Sequence, residues 1–286
     1  MGTLHGTLLI PPGRTRSPGV LILPGSGPTD RDGNTRGLPG KNNSLLLLAE
    51  ALGARGIASL RIDKRGIGAS TEAGPIESDL RLESFVDDAV AWTDRLLADP
   101  RLGPIMVLGH SEGALIGALA AGQRPVSGYI GLAAPGRRAS DLLRRQLEGK
   151  LPDSLARESE RILTALEQGE QADSVPSELL ALYRPSVQPY HISWFRQVPV
   201  ETVARLHMPV LLAYGSADLQ VPGNEAELFR ARRPDVHIVK VPGMNHVLKL
   251  VSGPPTAQIA SYSDPALPVA PALLDAVAAF IGVNPA

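Results

Sequence analysis

Cysteine is absent from the 286 residues, so the chain has no disulfide framework, no thiol nucleophile and no thiolate metal ligand. Aromatic residues are scarce, with four phenylalanines, five tyrosines and two tryptophans. Neither sign of charge dominates: 28 lysines and arginines stand against 29 acidic residues, for a formal net charge of −1. That balance offers no footprint for nucleic acid, and none is expected as a partner. No apolar run reaches membrane-spanning length, and Met1–Pro12 lacks a basic region followed by a long apolar one. A cytoplasmic protein with no membrane partner is expected. No histidine or carboxylate cluster has zinc spacing. In Asp30–Asn34 the glycine comes too early for a calcium loop, and no distal glutamate follows. Gly40-Lys41 fails as a phosphate loop, because Asn42 replaces the hydroxyl residue and Thr35 the first glycine. No metal and no cofactor are expected.

What is present is a rhythm of short apolar strands and helical patterns. Strands are expected at Leu4–Ile10, Val20–Leu23, Ile57–Ile62, Ile105–Leu108 and Gly128–Leu132. Helices are expected at Ser44–Arg55, Leu82–Ala98 and Ala114–Gly122. Such alternation predicts a parallel sheet covered on both faces, and the length is enough for one full core. From about Arg137 to Leu206 no convincing strand occurs. Charged amphipathic stretches, Ser140–Glu148, Ser154–Gln168 and Ser177–Tyr183, take its place. The alternation resumes with strands at Met208–Tyr214 and Asp235–Val241, and Pro271–Ile281 reads as the last helix. The expected organisation is therefore a core of 1–136 and 207–286, with 137–206 inserted as a helical cap before the strand that leads to Asp218. Ser252–Pro268 reads as a surface loop.

The chemistry centres on Gly109-His110-Ser111-Glu112-Gly113, directly after the strand Ile105–Leu108 and before a small-residue helix. Glycines two residues either side of a serine suit a sharp strand-to-helix turn that strains the serine backbone and exposes its hydroxyl. The five-residue pattern alone would equally describe a plain glycine-lined turn. What separates the two readings lies downstream. A serine nucleophile needs a base and a carboxylate that orients it, in the order serine, acid, histidine. Asp218 follows the strand Met208–Tyr214, and His246 follows the strand Asp235–Val241, so both fall at the sheet edge that carries the serine. His110 adjoins the serine, but an elbow points neighbouring side chains apart. His237 lies inside a strand, His5 and His207 flank apolar runs, and Asp235 starts a strand rather than ending one. Ser111, Asp218 and His246 are the expected catalytic residues.

An attacking serine also needs donors for the oxyanion. The backbone N–H of Glu112 comes with the elbow. A second donor is expected from the loop after Val20–Leu23, at Ser26, with Gly27 as the fallback and a substrate neighbour. Arg61–Gly68 ends at the same edge, and Asp63, Lys64 and Arg65 are expected to pair with Asp30, Arg31 and Asp32 and so fix that loop. Tyr190-His191-Ile192-Ser193-Trp194-Phe195 concentrates aromatic residues in the cap. There His191, Trp194 and Phe195 read either as a pocket wall or as anchors of the cap.

Pro-Gly-Ser-Gly-Pro-Thr-Asp-Arg-Asp-Gly-Asn (24–34), Arg-Ile-Asp-Lys-Arg-Gly-Ile-Gly-Ala-Ser (61–70), Gly-His-Ser-Glu-Gly and the Asp218 and His246 loops together resemble the α/β-hydrolase superfamily. More narrowly, they resemble bacterial carboxylesterases whose oxyanion loop reads G-S-G-P-x-D-R-D-G. The resemblance runs from about Leu4 to the C-terminus. It departs at Pro24, where these enzymes often carry histidine. It implies Ser111 as nucleophile, Asp218 as acid, His246 as base, and Ser26 with Glu112 as oxyanion donors. The expected activity is cofactor-free cleavage of a small-molecule carboxylic ester through an acyl-enzyme, with small or medium acyl groups. An amide or thioester hydrolase with the same triad is the second reading. A non-catalytic binding protein on a hydrolase scaffold is the reading from another class.

Overall fold

The computed structural model describes residues 2–13, 15–253 and 258–283, so the middle of the expected Ser252–Pro268 loop lies outside the described residues. The sheet has seven strands: β1 (Gly6–Leu9), β2 (Ser17–Leu23), β3 (Ala58–Ile62), β4 (Leu102–His110), β5 (Gly128–Leu132), β6 (Val210–Gly215) and β7 (His237–Val241). Their order is β1-β3-β2-β4-β5-β6-β7, parallel throughout except for β1, which pairs antiparallel with β3 at the edge. The helices are α1 (Ser44–Gly53), α2 (Leu82–Leu97), α3 (Glu112–Ala121), α4 (Ala139–Leu147), α5 (Asp153–Gln168), α6 (Leu180–Tyr183), α7 (Gln188–Phe195), α8 (Pro199–Ala204), α9 (Glu225–Arg232) and α10 (Pro271–Val283).

The continuous apolar strands follow from burial on both faces. Along β2, side chains alternate sides. Val20 and Ile22 pack under α1 and α10 with Leu45, Leu48, Leu273 and Val277. Leu21 and Leu23 pack on the opposite face with α2 and α3, through Leu82, Val86, Leu115 and Ala118. The chain runs β2 to β3 through α1, then crosses back to β4 through α2. Because such crossovers are right-handed, reversing direction moves the helix to the other face. The direction of the crossovers switches between β2 and β4, and ligands of open α/β sheets bind at the carboxyl ends of the strands at such points.

Helices α4 to α8 lie between β5 and β6 as a cap-like helical insertion. It has an apolar core of its own, including Ile162, Leu163, Leu166, Tyr183 and Phe195. Specific ties hold it to the sheet layer. Ser193 Oγ accepts the Leu82 N–H at 2.8 Å, and Arg184 Nε donates to Glu77 at 2.9 Å. At its entry, the buried Glu225 accepts the Gly136 and Arg137 N–H groups at 2.9 and 3.1 Å. Among the described residues, no helix is long and apolar enough to cross a membrane.

Candidate active site

Ser111 sits between β4 and α3 with φ 56° and ψ −121°, a left-handed backbone that L-residues seldom adopt. The two glycines are needed for contact. A Cβ on Gly109 would lie 2.0 Å from the Gly113 carbonyl oxygen, and one on Gly113 would lie 2.4 Å from that of Pro24. The Ser111 N–H is held by the Leu132 carbonyl at 2.9 Å, and its own carbonyl accepts from Ala114 at 2.9 Å. The strain is thus fixed by β5 on one side and α3 on the other.

The loops after β6 and β7 bring Asp218 and His246 together. Asp218 Oδ2 lies 2.8 Å from His246 Nδ1, and Oδ1 accepts the Gln220 and Val221 N–H groups at 2.8 and 2.9 Å. Both side chains are buried. Burial alone would raise the Asp218 pKa. The His246 charge, the hydrogen bond to it and the two backbone donors outweigh that, and hold it below the ordinary carboxylate value. With Nδ1 committed to Asp218, Nε2 is the His246 nitrogen left for proton transfer.

His110 has a role that the sequence does not signal. Its Nε2 donates to the His246 carbonyl at 2.8 Å, and the two rings stand 4.7 Å apart. It braces the histidine loop against the elbow. Burial first, and the neighbouring His246 second, push its pKa down to about 3. His191 is likewise lowered to about 4, by burial and by Arg184, against a smaller opposing effect of Glu77. Both histidines are neutral when folded, whereas in the unfolded chain they take up protons near pH 6.5. Below that pH the unfolded state binds more protons, so stability falls with pH until the folded values are reached. Asp218 adds the same direction of loss below its unfolded pKa. Urea unfolding between pH 7.5 and 4.5 is expected to show a steep decline. His110→Gln should flatten it by about 1.4 kcal/mol per pH unit below pH 6, one proton's worth. An unchanged slope in that variant would count against the buried neutral imidazole.

The expected oxyanion donors lie just beyond the carboxyl ends of β2 and β4. Ser26 and Gly27 form an exposed tip, and Gly27 has φ 68°. The Ser26 N–H meets no acceptor among the described residues. The Glu112 N–H belongs to the first residue of α3, where a helix has no internal acceptor. Gly25 brings the loop against Ser111: a Cβ there would lie 3.3 Å from Ser111 Cβ.

The ion pairs under this loop differ in part from the expected set. Asp63 does take Arg31, accepting its backbone N–H at 2.8 Å and its Nε at 3.0 Å. Asp32 is paired with Arg61, whereas Asp30 Oδ1 caps its own turn through the Asp32 and Asn34 N–H groups. Arg65 turns away to Asp88. Lys64 donates to the Gly25 carbonyl at 2.7 Å and lies 3.4 Å from Glu112. A strand end shows which charges share an edge, but not which neighbour each will reach.

The aromatic segment forms α7, and its residues divide. Phe195 is 1% exposed and packs inside the core of the insertion. His191 stacks on it, with ring centroids 5.4 Å apart and planes at 6°. Trp194 is partly buried and bridges the core of the insertion and that of the sheet. Tyr190 reaches the elbow and donates to Glu112 at 2.7 Å. No group of three or more histidines and carboxylates among the described residues is placed to hold a metal ion.

A parallel sheet with a serine elbow after one central strand, and acid and histidine loops after the last two, defines an α/β-hydrolase. A family model described as serine aminopeptidase, S33, matches residues 37–250, and the chain belongs to that family of serine hydrolases. The match begins after the 24–34 loop, so it does not carry the narrower oxyanion-loop resemblance. A curated relative, esterase EstD of Thermotoga maritima, is 27% identical over 248 residues, or 86% of this chain. The chain spans 58% of that relative's length. Among solved structures, Est1E of Butyrivibrio proteoclasticus with bound ferulic acid is similar at TM-score 0.60 and 20% identity, covering 91% of this chain and 92% of its own. A thermophilic esterase of Thermogutta terrifontis is similar at TM-score 0.58 and 18% identity, covering 99% of this chain and 94% of its own. At these identities the structural likeness speaks for the fold.

Proposed function

We propose that the protein hydrolyses carboxylic esters of small or medium acyl groups through an acyl-enzyme. The observation that carries this reading is the buried Asp218–His246 bond of 2.8 Å beside a serine held at φ 56°. Ser111 Oγ attacks the acyl carbon while His246 Nε2 takes its proton. The carbonyl oxygen becomes an anion facing the Ser26 and Glu112 N–H groups. Protonated His246 then gives the proton to the departing alcohol. Water activated by the same imidazole attacks the acyl-serine, and Ser111 leaves with its proton restored. Asp218 keeps the imidazole in the tautomer that has Nε2 free, and stabilises its charged form.

The family description names aminopeptidases, which favours amide cleavage as the second reading. An aminopeptidase needs an anionic group to hold the substrate's ammonium. At this site Asp218 is committed to His246, and Glu112 to Lys64 and Tyr190. The buried carboxylates beside the serine are therefore engaged, which supports esters over amino-terminal peptides. The distant curated esterase points the same way.

The test is a panel of p-nitrophenyl esters of graded chain length, beside aminoacyl anilides and acyl-CoA thioesters. The expected result is the highest kcat/KM on short or medium esters. A preference for anilides or thioesters would replace the ester reading with one of the other two. No turnover of any class, with reversible ester binding, would leave a binding protein.

A further inference from the structure

Gly25 and Ser26 share one peptide group, and its two ends have different surroundings. The carbonyl accepts a hydrogen bond from Lys64 Nζ at 2.7 Å. The N–H faces no acceptor among the described residues. The peptide is trans and planar, so its C=O and N–H point in opposite directions. Whatever fixes the carbonyl also fixes the direction of the N–H. The same peptide lies against the nucleophile, since a Cβ on Gly25 would stand 3.3 Å from Ser111 Cβ.

Lys64 is itself held from several sides. Its ammonium lies 3.4 Å from Glu112 Oε2 and 5.6 Å from the centre of the Phe85 ring. Glu112 Oε1 accepts from the Tyr190 hydroxyl at 2.7 Å. Tyr190 in turn sets its ring edge-on to Phe85, with centroids 5.6 Å apart. Lys64, Glu112 and Tyr190 are all buried. A buried ion pair is a poor device for stability, because desolvating both charges offsets their attraction, and apolar residues of similar size often serve as well. What apolar residues cannot do is hold a carbonyl at a set angle. Glu112 is moreover the residue whose own N–H begins α3 beside Ser111, so one short chain of contacts touches both expected oxyanion donors.

We infer that Lys64 is a positioning residue that aims the Ser26 N–H at the developing oxyanion, kept in place by Glu112 and, from the helical insertion, by Tyr190. This rests on the assignment of Ser26 as oxyanion donor in the reading above. Tyr190 makes the aim of the donor depend on how α7 is seated over the sheet.

The test uses Lys64→Met, and a Lys64→Met/Glu112→Gln double variant that removes both charges so that no carboxylate is stranded in the core. Active sites are counted with a fluorophosphonate, and turnover of p-nitrophenyl butyrate is expressed per titrated site. In both variants kcat is expected to fall about 10²-fold, the scale of losing one oxyanion donor, with KM little changed. Affinity for a trifluoromethyl ketone, which forms an oxyanion on the serine, should fall by the same factor as kcat/KM. Lys64→Arg, which keeps a donor, should recover part of the loss. Tyr190→Phe should move kcat in the same direction by a smaller factor. The inference is overturned if the variants lose only melting temperature or titratable fraction while kcat per site stays at the wild-type value. It is also overturned if KM rises at constant kcat. Wild-type protein that neither takes the probe at Ser111 nor turns over the ester would overturn the underlying reading instead. That failure shows in the unmodified chain and is not confused with the first.

Discussion

Ser111→Ala is expected to lower turnover by about a million-fold while the fold stays intact. The size of the loss follows from the covalent step. Without Oγ there is no acyl acceptor, and what remains is the modest acceleration that oxyanion donors and binding supply, about 10³- to 10⁴-fold over water. The fold should survive because the Ser111 side chain makes no capping hydrogen bond to α3. The turn is fixed instead by backbone bonds to Leu132 and Ala114. Alanine meets the same positive-φ strain as serine, so the melting temperature should move little. A fluorophosphonate is expected to label the wild type at Ser111 alone, located by peptide mapping, and to leave Ser111→Ala unlabelled. Labelling at another serine, or full activity in the alanine variant, would remove Ser111 as the nucleophile.

The elements that bear the site were readable because they obey local rules. β5 and β6 are buried throughout and β2 everywhere but Pro18, and each carries an apolar stretch such as Val20–Leu23. The glycines of the elbow were readable because backbone crowding at Gly109 and Gly113 excludes any side chain. The order of serine, aspartate and histidine placed each on a loop after a strand, and the sheet order set those loops on one edge. Helix α7 was not readable. Gln188, Pro189, Tyr190, His191, Ser193 and Phe195 are all buried, so no polar face interrupts the pattern and no amphipathic period marks the helix. α8 and α9 are short and were not anticipated either.

Partners across long sequence distances were beyond reach for a different reason. Lys64 finds Gly25 and Glu112 at separations of 39 and 48 residues, and nothing in its own neighbourhood distinguishes those from Asp30 or Asp32. An elbow turns adjacent side chains apart, which separates His110 from Ser111. That rule concerns Ser111, and it says nothing of the His246 carbonyl that His110 reaches from its own side. The aromatic cluster at 190–195 was visible as a local density. Whether its rings face a ligand or each other depends on the packing of α5 against α7, which puts Phe195 in the core of the insertion beside Ile162 and Tyr183.

Asp218→Asn is expected to cost about 10⁴-fold in kcat, and Asp235→Asn almost nothing. Both aspartates precede His246 in the sequence, and their surroundings separate them. Asp218 is clamped by two backbone N–H groups on one oxygen and presents the other to His246 Nδ1 at 2.8 Å. Asparagine fits that clamp without strain, so the fold and the loop should be retained. Its amide supplies no negative charge for the imidazolium, and an N–H facing Nδ1 favours the tautomer with the proton on Nε2, where it cannot receive one from serine. The loss should therefore fall on kcat, with KM nearly constant and the fluorophosphonate reacting at a similarly reduced rate. Asp235 has a side chain 72% exposed and pairs with Arg233 at 3.2 Å. An exposed pair of that kind contributes about 0–1 kcal/mol, and its partner is Arg233 rather than His246. Steady-state kinetics of the two variants beside circular dichroism decides the matter. If Asp235→Asn were the crippling change and Asp218→Asn the mild one, the acid would have to be moved to Asp235, and the Asp218–His246 bond would lose its catalytic meaning.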